Sequence, residues 1–214
     1  MQITSPYLAT ILALTITSAM ASSQTTDWRD LQNGWQTPDE NYADQPYFVV
    51  LEDGRWLMTL TTGPGAEGGD GQHVVSTTSA DNGQTWTPLL DIEATGSALP
   101  APDTGILSSW VVPYQSGYRA PGASFNRVYA IYTWGAPYVT TPSVPRRDTH
   151  GPYAFRYTDD GGTSWSARHL IPYTNTEIDE NNIFNGAYPS GWNVDKPLRL
   201  NGKMFLSFTK LHAP

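Results

Sequence analysis

The sequence contains two copies of one octapeptide pattern, and this repeat constrains the fold more than any other feature. Residues 79–86 are SADNGQTW and residues 158–165 are TDDGGTSW, so both follow S/T-x-D-x-G-x-T/S-W and their tryptophans lie 79 residues apart. In such a turn the Asp accepts backbone N–H bonds, the Gly takes a positive φ, and the Trp fills an apolar layer between sheets. Internal repetition of this kind predicts a solenoid or a propeller.

Short apolar and aromatic segments recur around these octapeptides. Clusters of Gly, Asp, Asn and Pro separate them, as in antiparallel chains with many turns, and no window shows a convincing 3.6-residue period. The predicted strands cover residues 47–51, 56–61, 73–77, 110–114, 128–134, 153–157, 197–200 and 204–209. The sequence therefore predicts an all-β fold.

The octapeptides resemble the Asp boxes, or BNR repeats, of the sialidase-like (neuraminidase) six-bladed β-propellers, whose blades are four-stranded and antiparallel. By this resemblance each octapeptide forms the turn between the third and fourth strands of a blade, and its role is structural rather than sugar or metal binding. The structural residues would be Ser79, Asp81, Gly83 and Trp86 in one box, and Thr158, Asp160, Gly162 and Trp165 in the other.

The resemblance divides the chain into somewhat over two blades. Blade one covers about 42–92, blade two about 108–171, and an incomplete blade three 192–214. Because a propeller closes on itself to hide its edge strands, we expect the partial propeller of residues 42–214 to be the N-terminal portion of a larger one. Residues 22–41 form an N-terminal segment before it.

The first residues have the features of a secretion signal. An apolar run over residues 8–21 is too short to span a bilayer and ends in Ala19-Met20-Ala21, which predicts a signal peptide of residues 1–21. The alternative is a buried N-terminal segment. We expect a secreted protein, extracellular or periplasmic, that has no membrane segment after cleavage.

Composition excludes several functions. The formal net charge is −8 and no basic stripe is visible, which argues against nucleic acid as a partner. The chain has no cysteine, so packing alone must hold the fold. The acidic stretch 177–180 matches no calcium-loop spacing, and we expect neither a metal nor a cofactor. The sequence does not indicate an oligomeric state.

Long Gly- and Pro-rich loops at residues 62–72, 94–109, 135–152 and 173–193 should open on one face of the blades, opposite the octapeptide turns. In sialidases the general acid/base is a carboxylate of the blade-one loop, and Glu67 and Asp70 are the matching positions. A Gly-lined, partly desolvated loop would raise the pKa of such a group. An acidic loop that only aids solubility is an equal alternative.

Substrate-binding candidates come partly from the resemblance. Sialidases begin blade one with an Arg-Ile-Pro motif whose arginine holds the substrate carboxylate, whereas this sequence has Asp44-Gln45-Pro46, with Gln45 in place of the arginine. An amide donates a hydrogen bond but cannot form the bidentate charged clamp. The full candidate set is Asp44, Gln45, His73, Trp110, Arg146, Arg147, Trp192 and Asp195.

Each of these candidates also has a structural alternative. Asp44 and Asp195 hold sugar hydroxyls or cap the turn before a proline. Arg146 and Arg147 replace the missing arginine or form a solvated loop tip. Trp110 and Trp192 stack on a sugar or belong to the core.

The resemblance implies a secreted exo-glycoside hydrolase that removes a terminal sugar from glycans, sialic acid by default. Its nucleophile would come from blades that follow residue 214, so the fragment alone would be inactive. Another exo-glycosidase, such as an exo-arabinanase, and a non-catalytic propeller that binds glycan or protein are the alternatives.

Overall fold

The computed structural model describes residues 26–94, 106–135, 146–193 and 195–211. These residues are almost entirely strands and turns, with one α-helical turn, α1 (Glu177–Glu180), and two 3₁₀ turns, Leu31–Asn33 and Arg147–Thr149. No helix of the described residues is long and apolar enough to cross a membrane. The signal peptide predicted for residues 1–21 lies outside the described residues.

The chain divides into two compact units, Met1–Gly34 and Trp35–Pro214. The described part of the first unit contains a single 3₁₀ turn, Leu31–Asn33. Asp30 caps this turn, since its carboxylate accepts a 3.0 Å hydrogen bond from the backbone N–H of Gln32. All strands belong to the second unit.

The first sheet of the second unit is a four-stranded antiparallel meander. Its strands are β1 (Tyr42–Val50), β2 (Trp56–Gly63), β3 (His73–Ser79) and β4 (Leu90–Asp91), and they lie in the order β1-β2-β3-β4. The turn between β1 and β2 contains Gly54, whose φ of 86° is open to glycine at little cost.

The second sheet repeats this arrangement. It consists of β5 (Ser108–Gln115), β6 (Val128–Trp134), β7 (Tyr153–Thr158) and β8 (His169–Leu170), also in sequence order and antiparallel. Each blade of a β-propeller is a four-stranded antiparallel meander of this type. The prediction of an all-β fold with four-stranded antiparallel blades is confirmed.

The remaining strands form two small antiparallel pairs. β9 (Gly191–Trp192) pairs with β12 (Thr209–Lys210), and β10 (Leu198–Leu200) pairs with β11 (Lys203–Phe205). The single strand predicted over residues 204–209 is therefore wrong. Between β11 and β12, the Phe208 ring packs on Tyr153 of β7, with 3.9 Å between ring centroids.

An apolar core lies between the two sheets. Its buried members are Val74, Ile92, Ile106, Val111, Ala130, Tyr132, Trp134 and Ala154. Complete burial of an aliphatic side chain of this size contributes about 1.5–3 kcal/mol. Trp165 packs against this core, and its indole N–H donates a 2.9 Å hydrogen bond to Ser76 of β3, so it joins the sheets.

The two octapeptides fold into matching turns, between β3 and β4 and between β7 and β8. Asp81 accepts hydrogen bonds from the backbone N–H and the hydroxyl of Thr85, at 2.8 and 2.6 Å. Asp160 makes the same two bonds to Ser164, at 3.0 and 2.6 Å. The two bonds from Thr85 lower the pKa of Asp81 to about 2, and the bond from the Thr85 hydroxyl has the larger effect.

The two octapeptide tryptophans pack on equivalent faces of their own sheets. Trp165 lies on the face of the second sheet that meets the first, as expected. Trp86 packs against Met58, Leu60 and Val75. Because side chains alternate along a strand, these three point to the face of the first sheet that is turned away from the second. The layer that Trp86 fills therefore lies on the other side of the first sheet.

A buried carboxylate also links the sheets. Glu93 follows β4, is 2% exposed, and accepts hydrogen bonds from Arg156 and Arg168 at 2.9 Å each. The Tyr132 hydroxyl on β6 donates to the other carboxylate oxygen at 2.6 Å. Three donors of the second sheet thus satisfy one acceptor of the first.

Candidate functional site

The candidate site lies at the end of the sheets where β1 and β5 begin and the loop between β2 and β3 emerges. We call this end the loop face. Residues 64–72 form that loop, and residues 146–152 are the described part of the connection between β6 and β7. The two meet at Gly68, where a Cβ atom would lie 3.1 Å from the Asp148 carboxylate.

Matching bulges shape the first strand of each sheet at this end. The β1–β2 pairing shifts between Asp44 and Tyr47, and the β5–β6 pairing shifts between Ser109 and Val112. The bulged residues are Gln45, with φ 51°, and Trp110, with φ 61°. A left-handed conformation is unusual for residues of this size, and such local strain clusters at functional sites.

The bulges give Gln45 and Trp110 different surroundings. The Trp110 backbone N–H donates a 3.0 Å hydrogen bond to Thr61 of β2, and its indole N–H donates to the Asp148 carbonyl at 3.1 Å. The Gln45 side-chain oxygen is shielded from solvent and has no hydrogen-bond partner in the described part of the chain. It is an acceptor without a donor at the loop face.

Arg146 joins two carboxylates of the site. Its guanidinium donates two hydrogen bonds to Asp148, at 3.1 and 3.0 Å, and one to Glu67 at 2.5 Å. The Asp148 side chain is fully buried, whereas Glu67 and Arg146 are partly exposed. Sequence reasoning missed Asp148, because nothing local indicates that an acidic residue next to two arginines is buried.

The second candidate carboxylate, Asp70, has a different environment. Its side chain is 89% exposed and accepts a hydrogen bond from Arg147. The structure thus pairs both predicted arginines with both predicted acids, Arg146 with Glu67 and Arg147 with Asp70. A group so open to water lacks the desolvation that a general acid needs at neutral pH.

Two acids of the loop face, Glu67 and Asp44, have raised pKa values. Burial raises the pKa of Glu67, and the neighbouring Asp148 and Asp44 raise it further against the opposing effect of Arg146. Burial also raises the pKa of Asp44. The pKa of Tyr42 is raised by burial and by the same carboxylates, which places its hydroxyl in a negative field.

Gln72 holds the loop that carries Glu67. Its side-chain oxygen accepts a 2.5 Å hydrogen bond from the Gly68 backbone N–H, and its amide nitrogen donates to the Ser109 hydroxyl at 2.6 Å. The residue is buried, so both bonds are protected from water. Gln72 therefore positions the loop, and no periodicity or motif in the sequence singles it out.

His73 lies beneath the same loop and is not a surface ligand. It is 1% exposed, and its ring nitrogens lie 2.9 Å from the Gly71 carbonyl and 3.3 Å from Asp91. Burial by itself lowers the pKa of His73, but the bonds to Asp91 and Gly71, with Glu40 nearby, raise it overall. Its buried position indicates a role in loop structure.

The predicted aromatic pair is close together. The ring centroids of Trp110 and Trp192 are 5.6 Å apart, and the Arg146 guanidinium lies 5.7 Å from the Trp110 ring. Trp110 is only 8% exposed, so it offers little surface to a sugar and acts mainly as a packing surface for Arg146. Trp192 is half-buried and retains an accessible part.

Asp195 lies apart from this group. It accepts a 3.0 Å hydrogen bond from Ser207 and, with Leu198 and Phe205, lines a separate groove of about 430 Å³. The amine of the neighbouring Lys196 donates instead to the Phe48 carbonyl of β1. The structure therefore brings together Asp44, Gln45, Glu67, Trp110, Arg146 and Trp192, and places Asp195 elsewhere.

Among the described residues, no three His, Asp or Glu side chains are arranged to hold a metal ion. The acidic stretch 177–180 forms α1, in which the buried Asp179 accepts a hydrogen bond from Lys210 at 2.5 Å.

The fold resembles that of solved structures, although the sequence alone matches no known family. No protein-family model and no curated protein matches the sequence. A solved structure described as Hadza microbial sialidase Hz136 is similar over 60% of this chain, with 17% identity and a TM-score of 0.46. The match spans 26% of that sialidase chain, about a quarter of its length.

Proposed function

We propose that this protein is a secreted, carbohydrate-active β-propeller that hydrolyses a terminal glycosidic bond, with Glu67 as the proton donor. The observation that carries the proposal is the position of Glu67, on a loop fixed by Gln72 and open at the loop face, with a pKa raised by burial. A general acid must hold its proton near the working pH until it delivers it to the leaving oxygen.

The other residues of the loop face support this role. Asp148 and Asp44 raise the pKa of Glu67. The hydrogen bond from Arg146 orients the Glu67 carboxyl group. Gln45 offers an unpartnered acceptor, and Trp192 an aromatic surface, of the kinds that contact sugar hydroxyls and sugar ring faces. A second acid or a nucleophile on further blades would complete the reaction.

A non-catalytic glycan-binding propeller is the second candidate. The observation that favours it is the 2.5 Å contact between Glu67 and Arg146, since an ion pair stabilises the ionised carboxylate that a proton donor must avoid. In that case the loop face would bind a sugar without cleaving it.

Glu67→Gln separates the two candidates. For a hydrolase, we expect kcat/KM on glycosides with poor leaving groups to fall about 10²–10⁴-fold, and much less on activated aryl glycosides. Asp53→Asn is the control, because Asp53 pairs with Arg55 at the opposite end of the sheet. If the parent protein binds glycans but cleaves none, the binding propeller is correct. If Asp70→Asn causes the loss instead, the donor is Asp70.

A further inference from the structure

The arginines of the loop face are already occupied by the protein's own carboxylates. Arg146 donates to Asp148 through two nitrogens and to Glu67 through one of them. Arg147 donates to Asp70. A ligand carboxylate could therefore form a bidentate clamp with Arg146 only by displacing a protein carboxylate, because Nη2 already donates to both Asp148 and Glu67.

Arg146 cannot turn toward a ligand without leaving the Asp148 carboxylate unpaired. Its partner Asp148 is fully buried, and removal of one member of a buried ion pair leaves an uncompensated charge. Trp110 further restricts the guanidinium, which lies over its ring. The arginine is thus fixed as a support for Glu67 and Asp148.

Carboxyl groups outnumber the guanidinium group that contacts them. Among the described residues, Asp44, Glu67 and Asp148 interact with one another and with the guanidinium of Arg146. The field of these carboxylates also reaches Tyr42, where it opposes formation of a phenolate. The same field opposes the approach of any other anion.

The bulge in β1 presents an uncharged group. Gln45 has an acceptor oxygen that is shielded from solvent and unpartnered among the described residues. A hydroxyl satisfies such an acceptor, whereas an ionised carboxylate is an acceptor only and cannot. The polar groups here suit an O–H donor.

We propose that the loop face takes an uncharged sugar, held through its hydroxyls, and rejects sugars that carry a carboxylate, sialic acid included. This rests on the proposed function, because it assigns a ligand class to the same carbohydrate site. Two features give this specificity. Arg146 is already bonded to Glu67 and Asp148, and Gln45 offers an acceptor oxygen that a sugar hydroxyl can satisfy.

Matched sugars test the selectivity of the parent protein. We would measure binding of lactose against sialyllactose, and of methyl galactoside against methyl galacturonide, by calorimetry at low and high salt. We expect the uncharged member of the bound pair to bind at least tenfold more tightly, and the gap to narrow in high salt. Equal or tighter binding of the acidic member overturns the inference but leaves the proposed function intact. Absence of binding across a broad panel of both classes overturns the proposed function, and the inference with it.

Glu67→Gln tests the cause. This change removes one carboxylate and frees a donor of Arg146, so we expect the affinity for the acidic sugar, relative to its uncharged partner, to rise about tenfold. Asp53→Asn removes an arginine-paired carboxylate far from the loop face and should leave the ratio unchanged. An unchanged ratio in Glu67→Gln, in a variant whose circular dichroism and melting match the parent, overturns the role given to Arg146.

Discussion

The hydroxyl of Tyr132 on β6 lies 2.6 Å from the carboxylate of Glu93, which follows β4, and this hydrogen bond crosses from one sheet to the other. Arg156 and Arg168 donate to the same carboxylate. The group is buried, so it provides directional contacts in an interface that is otherwise apolar. Apolar packing alone tolerates small rotations, whereas a carboxylate with three fixed donors restricts how the sheets align.

Glu93→Gln should destabilise the fold strongly. The change leaves two guanidinium groups without their anion, and we expect a loss of about 3 kcal/mol in the free energy of unfolding, toward the lower end for a buried pair because both arginines are partly exposed. Urea denaturation measures the effect. Glu52→Gln, at a partly exposed contact with Arg119, should cost less than about 1 kcal/mol. Equal losses in the two variants would contradict the role of Glu93.

Replacement of the two octapeptide tryptophans by alanine should destabilise the fold to different extents. Trp165→Ala empties a position between the sheets and should cost about 3–5 kcal/mol. Trp86→Ala removes a half-buried ring from an outer face and should cost about 1–2 kcal/mol. Thermal and urea melts compare them. Sugar affinity, measured on the folded fraction, should not change in either variant; a selective loss of binding would mean that these turns contact the ligand.

Gln72→Leu should impair the site more than the fold. Without the amide, the Gly68 N–H loses its acceptor and the loop that carries Glu67 is no longer held in place. We expect kcat/KM to fall about 10–100-fold, as for a misplaced catalytic group, with an altered basic limb of the pH–rate profile, because a proton donor loses activity as it deprotonates. Gln84→Leu is the matched control, because Gln84 is exposed and bonds only to the octapeptide turn. A pH profile that keeps its shape would leave Gln72 with a purely structural role.

His73 should make stability depend on pH. Because its pKa is raised in the folded state by Asp91 and the Gly71 carbonyl against the effect of burial, its contribution is complete below the ordinary histidine pKa, about 6.5, and is lost as pH rises through the raised value. The stability difference between the parent and His73→Gln should therefore be larger at low pH and shrink as pH rises. Urea midpoints across this range measure it. The same His73→Gln comparison in an Asp91→Asn background should show a weaker dependence, and a difference that grows with pH would contradict the assignment.

The sequence predicted what local rules determine. The octapeptide turns follow from the chemistry of Asp81 and Asp160 over a few residues, and the meander follows from strand-length segments between turns. The predictions that failed involve contacts between residues distant in sequence. The segment predicted as one strand over residues 204–209 contains Phe208, which packs on Tyr153. Likewise, the contacts between Arg146 and Glu67 cross from one blade to the next, and no spacing rule relates them.

The bulges at Gln45 and Trp110 imply a separation between scaffold and specificity. Each places one residue in a left-handed conformation at the same point of successive sheets, and strand pairing rather than the side chain fixes that point. In one sheet this position holds Gln45, whose amide oxygen has no partner among the described residues. In the other it holds Trp110, whose indole is buried. A propeller built this way can acquire a new ligand by exchanging one residue per blade at its centre, while the hydrogen-bonded strands around it remain as they are.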